Sequence, residues 1–230
     1  MKQNNAKIKY IEFVGQPAVG KTTTAMAVAN DEVLAGIYLL HPEGIFKQSK
    51  YFLYKNIFKI FIASLYSVFY HINFFLKHAK FSRYNYGRLV LFLRFSVRHQ
   101  IHILYKPDLI IREDTLHLIP TIDYRKNVNI EKITKKYIRN FSNDYHGIVY
   151  FESDYEILEK RYIKREKNKN LSGDIIEYNL IKYKQYFSKQ ESVKKAINEQ
   201  DNIPVIIIDG AKEIEQKKEE IINFIKEQVL

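Results

Sequence analysis

The segment Gly15-Gln16-Pro17-Ala18-Val19-Gly20-Lys21-Thr22 has the residue types and the spacing G-x-x-x-x-G-K-[ST] that a polyphosphate site needs. Glycines let the backbone curl until successive N–H groups point inward at an anion. On this reading Gly15, Ala18, Val19, Gly20, Lys21, Thr22 and Thr23 cradle the triphosphate of ATP. Lys21 reaches the β- and γ-phosphates, and the Thr22 hydroxyl takes a place on Mg²⁺. A helix beginning at the lysine turns its positive end toward the same anions. The competing reading is an ordinary turn with a surface lysine, and the flanking residues decide against it. Ile8–Val14 is a β-prone run and Lys21–Ala29 reads as a helix, so the loop lies between strand and helix as the chemistry requires.

A second set of charges lies far along the chain. In Tyr155–Arg165, Arg161 and Arg165 stand four apart and share a helix face, with Asp154 as the expected cap. Lys164, Lys167 and Lys169 follow, then Asn170-Leu171-Ser172-Gly173. Cations on a hinged segment of this kind can close over a nucleotide, exclude water and neutralise charge on a transferred phosphoryl group. A solvated basic helix end is the plainer alternative.

Five strands must position these groups: Lys7–Val14, Gly36–Leu40, Asp108–Arg112, Gly147–Glu152 and Pro204–Ile208. Several are continuous apolar runs, as in strands covered on both faces of a parallel sheet. Helical patterns alternate with them, including residues 130–144, 174–200 and 213–228. The expectation is an α/β P-loop NTPase fold, a five-stranded parallel sheet flanked by helices, in one domain over residues 1–230. Ligands bind such sheets at the carboxyl ends of the strands, where Glu43, Glu113-Asp114 and Asp209-Gly210-Ala211 fall.

Residues 45–106 break the alternation. They hold eleven Lys and Arg and no Asp or Glu, and 17 of the 33 Phe and Tyr. Residues 1–44 hold four basic and four acidic residues and residues 107–230 hold 22 of each, so the whole net charge of +11 sits in this insert. Two long helices are expected, over 47–80 and 86–105. Ile60–Phe75 runs sixteen residues without a formal charge, short of the roughly twenty that span a bilayer. Three readings fit the insert: a helical cap, an acceptor pocket using Arg83, Arg88, Arg94 and Arg98, and a face for an anionic membrane. The histidines have no metal-ligand spacing and read as packing or surface residues. The absence of cysteine excludes disulfides and cysteine–zinc sites.

Over residues 8–44, 107–116 and 147–230 the chain resembles the nucleotide kinase branch of P-loop proteins, particularly thymidylate kinases and deoxynucleoside kinases. The resemblance rests on the phosphate loop, His41-Pro42-Glu43-Gly44 after the second strand, Arg112-Glu113-Asp114 after the third, Arg161 and Arg165 in a lid over about 161–175, and Asp209-Gly210-Ala211 after the last. It implies ATP-dependent transfer of the γ-phosphate to a hydroxyl or phosphate acceptor. It further implies that Arg112, Arg161 and Arg165 clamp phosphates, that Glu113 or Asp114 serves the Mg²⁺ shell, and that backbone groups at 209–211 hold the base. Glu43 is then the general-base candidate if the acceptor is a hydroxyl. Thymidylate kinases place Asp before Arg after the third strand, whereas here the arginine comes first. The insert matches nothing in that family, and the acceptor, anionic or in contact with aromatics, stays open among nucleosides, nucleoside monophosphates, sugars and, for a kinase at a membrane surface, a lipid-linked or glycan precursor.

Two other function classes compete. A regulatory NTPase is disfavoured because Asn168-Lys169-Asn170-Leu171 lacks the aspartate of a guanine-reading motif, and the third strand does not run into Asp-Glu as in motor ATPases. Nucleic-acid binding is disfavoured because no RNA or DNA module is recognisable. The N-terminal residues hold no apolar leader, so a cytoplasmic protein is expected, with residence at a membrane surface and a homodimer left open.

Overall fold

The alternation of residues along the strands decides which helices cover each side of the sheet. In the computed structural model, which describes residues 9–31, 37–39, 50–105, 109–112, 115–141, 145–168 and 173–229, five parallel strands form one sheet. They are β1 (Lys9–Gly15), β2 (Ile37–Leu39), β3 (Leu109–Arg112), β4 (Gly147–Glu152) and β5 (Val205–Asp209), in the order β2-β3-β1-β4-β5. Along β4, Ile148 and Tyr150 point into one core while Val149 and Phe151 point into the other. Both sets are buried, as the apolar run requires. The register pairs Gly15 with Phe151 and Glu152 with Asp209, so the carboxyl ends of β1, β4 and β5 form one rim.

One core lies under α1 (Lys21–Ala29) and α7 (Ile214–Phe224), with Leu158 from α5 (Tyr155–Lys167) and Tyr183 from α6 (Gly173–Asn198). The other joins α4 (Ile130–Asn140), the C-terminal part of α6, a 3₁₀ turn over Leu116–Thr121 and the insert. The insert is a helical hairpin of α2 (Lys50–His78) and α3 (Arg83–Tyr105). Its bend is tied down by polar groups. Asn85 Nδ2 donates to the carbonyls of Lys80 (2.7 Å) and Asp123 (2.8 Å). Arg125 donates to the carbonyls of Leu76 (2.8 Å) and Ala79 (3.1 Å), satisfying acceptors left open at the end of α2.

Between α2, α3 and α4 lies an aromatic cluster of Phe74, Phe75, Phe92 and Tyr137 around His71. His71 is 1% exposed; its Nε2 lies 2.8 Å from the Tyr137 hydroxyl and its Nδ1 2.9 Å from Ser96 Oγ. Burial pushes the imidazole down to about 4, so at neutral pH it is an uncharged core histidine.

The boundaries depart from the sequence reading in specific places. The helix expected over 130–144 ends at Asn140, and 142–144 lie outside the described residues. The helix expected over 213–228 is α-helical only to Phe224 and widens into a π turn, Ile225–Val229, where Ile225 and Val229 are both buried. Asp154 occupies the N-cap of α5, but its side chain makes no cap bond.

Candidate functional site

The phosphate loop departs from β1 with Gly15 at φ 142° and enters α1 through Gly20 at φ 99°, values that side-chain-bearing residues rarely adopt. Ala18 between them also has positive φ, 67°. The residue preceding α1 is a glycine with no side chain to cap it, and no acid occupies the first turn. An anion there would meet the helix's N-terminal N–H groups without a competing carboxylate. Thr22 and Thr23 are exposed on that turn. Lys21 is buried, and its Nζ donates to the carbonyls of Gly15 (3.0 Å) and Gln16 (2.9 Å), which holds the curl closed. Gln16 Oε1 is buried without a hydrogen-bond partner among the described residues.

Two elements brace the loop. Tyr183 of α6 donates from its hydroxyl to the Pro17 carbonyl (3.3 Å) and stacks on Tyr162 of α5, with ring centroids 4.5 Å apart. On the other side, Gly210 packs on Val19 so closely that a methyl group there would collide with it. The Gly210 N–H donates to the Glu152 carbonyl (2.6 Å), which fixes the turn after β5 against the end of β4. Ala211 N–H donates to Asp209 Oδ1 (2.7 Å).

The Gly210 carbonyl collects two cations. Arg161 donates to it at 3.0 Å and Lys217 of α7 at 3.4 Å. Lys217 is only 4% exposed, and its Nζ lies 3.5 Å from where a Cβ on Gly20 would stand. Burial first, and Arg161 second, lower its affinity for a proton, while Glu213 and Asp209 act the other way. Lysine is seldom buried without a paired carboxylate. This residue was not found in the sequence because it lies on α7, far from the loop in the chain, in a Lys-Lys pair that reads as surface charge.

A cleft of about 520 Å³ opens beside the loop at the same rim, lined in part by Gln16, Glu152, Tyr155, Phe187, Glu191 and Asp209. Beneath the sheet end, buried Glu12 accepts the Leu116 N–H (2.6 Å) and so anchors the chain just after Glu113-Asp114.

The loop residues, Arg161 and Asp209-Gly210-Ala211 thus come together at one place. Arg165 does not join them here: its guanidinium lies over the Tyr162 ring (5.0 Å) and its Nε is 3.4 Å from Glu166. Arg112 ends β3 opposite Glu12 in the register, and nothing further is described of it. Glu43, Glu113 and Asp114 lie outside the described residues, as does 169–172 of the lid. In the insert, Arg88 donates to the hydroxyls of Tyr84 (2.9 Å) and Tyr186 (3.0 Å), and Arg98 lies over Phe95 (5.7 Å). Arg83 and Arg94 are exposed. Among the described residues no group of three His, Cys, Asp or Glu side chains is arranged to hold a metal ion.

No family model and no curated protein matches the chain. Among solved structures it is similar to deoxyadenosine kinase from M. mycoides with dCMP and dCDP bound, at 14% identity and a TM-score of 0.45, covering 94% of this chain and 98% of that one. A structure of that enzyme with dATP gives 14% identity and 0.43, covering 94% and 99%. Shikimate kinase from Bacteroides thetaiotaomicron gives 11% identity and 0.41, covering 95% and 98%. The phosphate loop between β1 and α1, and the sheet order β2-β3-β1-β4-β5, by themselves give the chain the α/β fold of a P-loop protein.

Proposed function

We propose that the chain is an ATP·Mg²⁺-dependent phosphotransferase acting on a small molecule. The observation that supports it most is the gathering of Arg161 and Lys217 on the Gly210 carbonyl, beside a loop that already holds Lys21. Like charges drawn together in a partly dry place are costly unless an anion joins them. A polyphosphate on the loop N–H groups supplies that anion, and the Lys21 ammonium can leave the Gly15 and Gln16 carbonyls for its β- and γ-oxygens. Transfer of the γ-phosphoryl group then depends on positioning and charge neutralisation.

Mg²⁺, when bound, would offset negative charge on the phosphates during transfer. Thr22 and one of Glu113 or Asp114 are the residues we assign to it. Arg161, with Arg165 once α5 moves over the site, screens the transferred group, and Arg112 is the third cation we assign to clamping the phosphates. Glu43 takes the proton if the acceptor is a hydroxyl; a phosphate acceptor needs no base. The insert, with its excess of cations and aromatics, favours an anionic acceptor.

Calorimetric titration with ATP and Mg²⁺, followed by product analysis with labelled ATP and a panel of hydroxyl and phosphate acceptors, tests this. Lys21→Ala is expected to weaken ATP about 10- to 100-fold, the usual loss for a charge-assisted hydrogen bond. If the protein retains neither ATP nor GTP, or if Lys21→Ala binds as the parent does, the proposal fails.

A further inference from the structure

A helix packed against a domain should turn polar residues outward. α2 does not. Ile60, Ser64, His71, Phe74 and Phe75 face the core, and the opposite side carries Phe58, Ile62, Phe69 and Leu76. At about 100° per residue these four fall on one stripe, and Phe58 and Leu76, about five turns apart, have the same azimuth. Phe58 is 78% and Phe69 65% exposed. The stripe runs for about 27 Å at 1.5 Å per residue, and Phe81, 81% exposed in the bend, extends it. Rings that project this far into water over such a length mark an interaction surface.

The charges beside the stripe indicate the partner. Lys59 and Lys77 share one azimuth on its flank, and Lys80 and Arg83 border Phe81; all four are exposed. No carboxylate occurs anywhere in residues 45–106. We propose that this face of α2 docks in the plane of an anionic lipid bilayer, with the rings in the headgroup boundary and the lysines on the headgroups. A second copy of the same face would set these cations against each other with no acid to answer them. Asn56–His78 is long and apolar enough to cross a bilayer, but the inner face of α2 is packed into the domain core and His71 is hydrogen-bonded to Tyr137 of α4. The helix therefore lies on the membrane and does not cross it. This inference does not depend on the nucleotide reading.

Flotation with phosphatidylcholine vesicles, with and without phosphatidylglycerol, tests it on the full chain. The protein is expected to float with the anionic vesicles at low salt, to stay behind with the neutral ones, and to be released as salt rises. Phe58→Ser combined with Phe69→Ser is expected to lower vesicle affinity at least about tenfold while leaving the melting temperature and any ATP-induced shift unchanged, because both side chains are exposed. The chain contains no tryptophan, so Phe69→Trp is a sole reporter whose emission should shift to the blue on anionic vesicles. Failure to float, flotation unaffected by the double variant, or no shift of the Trp emission overturns the proposal. So does a dimer in solution that the double variant converts to monomer, which would make the face a self-interface.

Discussion

Gly210→Ala is a change of one methyl group, and its effect can be worked out from the packing. A Cβ at Gly210 would stand 3.0 Å from the Glu152 carbonyl oxygen, 3.2 Å from the Val19 carbonyl oxygen and closer still to Val19 Cγ2. Carbon atoms pack at about 3.5–4.0 Å, so Val19 or the turn must retreat by roughly an ångström. Val19 is fully buried and belongs to the phosphate loop, so it has nowhere to go without moving that loop. Overpacking of this kind costs about 1–3 kcal/mol. In a chain of this size each kcal/mol lowers the melting temperature by about 2–4 °C. The shifted turn also carries the carbonyl that holds Arg161 and Lys217. If half of an intermediate cost of about 2 kcal/mol falls on the binding-competent loop, ATP affinity drops about fivefold, at about 1.4 kcal/mol per decade. Thermal melting with and without ATP·Mg²⁺, and calorimetric titration, measure both effects. Val19→Ala removes the colliding atom, so the double variant should lose less than the sum of the two single changes, with a coupling of about 1 kcal/mol or more. Parental stability and affinity in Gly210→Ala, or strict additivity in the double variant, would refute the reasoning.

Other outcomes are expected from the same geometry. Arg161→Ala should weaken ATP about tenfold, as loss of a charged contact does, whereas Arg165→Ala should change affinity less than about twofold and show its effect in turnover; steady-state kinetics beside titration separates the two. Lys217→Met should leave the melting temperature of the free protein unchanged or higher, because it removes a buried charge, while shrinking the ATP-induced rise in melting temperature; an undiminished rise would remove Lys217 from the site. His71 binds a proton in the unfolded chain near its usual value of 6.5 but in the fold only near 4. Its contribution to stability is therefore complete above about pH 6.5 and is lost as pH falls toward 4, a total of about 3 kcal/mol at 1.36 kcal/mol per unit. Urea unfolding across that window should show the decline, and the His71 imidazole resonance should not titrate above pH 5.

Much of the fold and part of the site could be read before any coordinates, for a local reason. The phosphate loop is eight contiguous residues whose glycines and lysine must lie together whatever surrounds them, and the strands are apolar runs whose ends fall within two residues of their expected places. Arg161 and Asp209-Gly210-Ala211 were legible because they follow strands β4 and β5, and a parallel sheet brings such ends to one rim. Lys217 had no such signal. Only the packing of α7 against α1 carries it to the loop, and a Lys-Lys pair on an amphipathic helix looks the same whether one lysine is buried or neither is. Glu12 was hidden for the same reason: its partner, the Leu116 N–H, belongs to another part of the chain. The helix around Ile60–Phe75 shows the limit most clearly. A run that is apolar on every side has no periodicity to say which side faces the core, so the sequence could declare it hydrophobic but not say where that hydrophobicity goes. The tertiary structure decides by seating His71, Phe74 and Phe75 among Phe92 and Tyr137, which leaves Phe58, Ile62 and Phe69 to face outward.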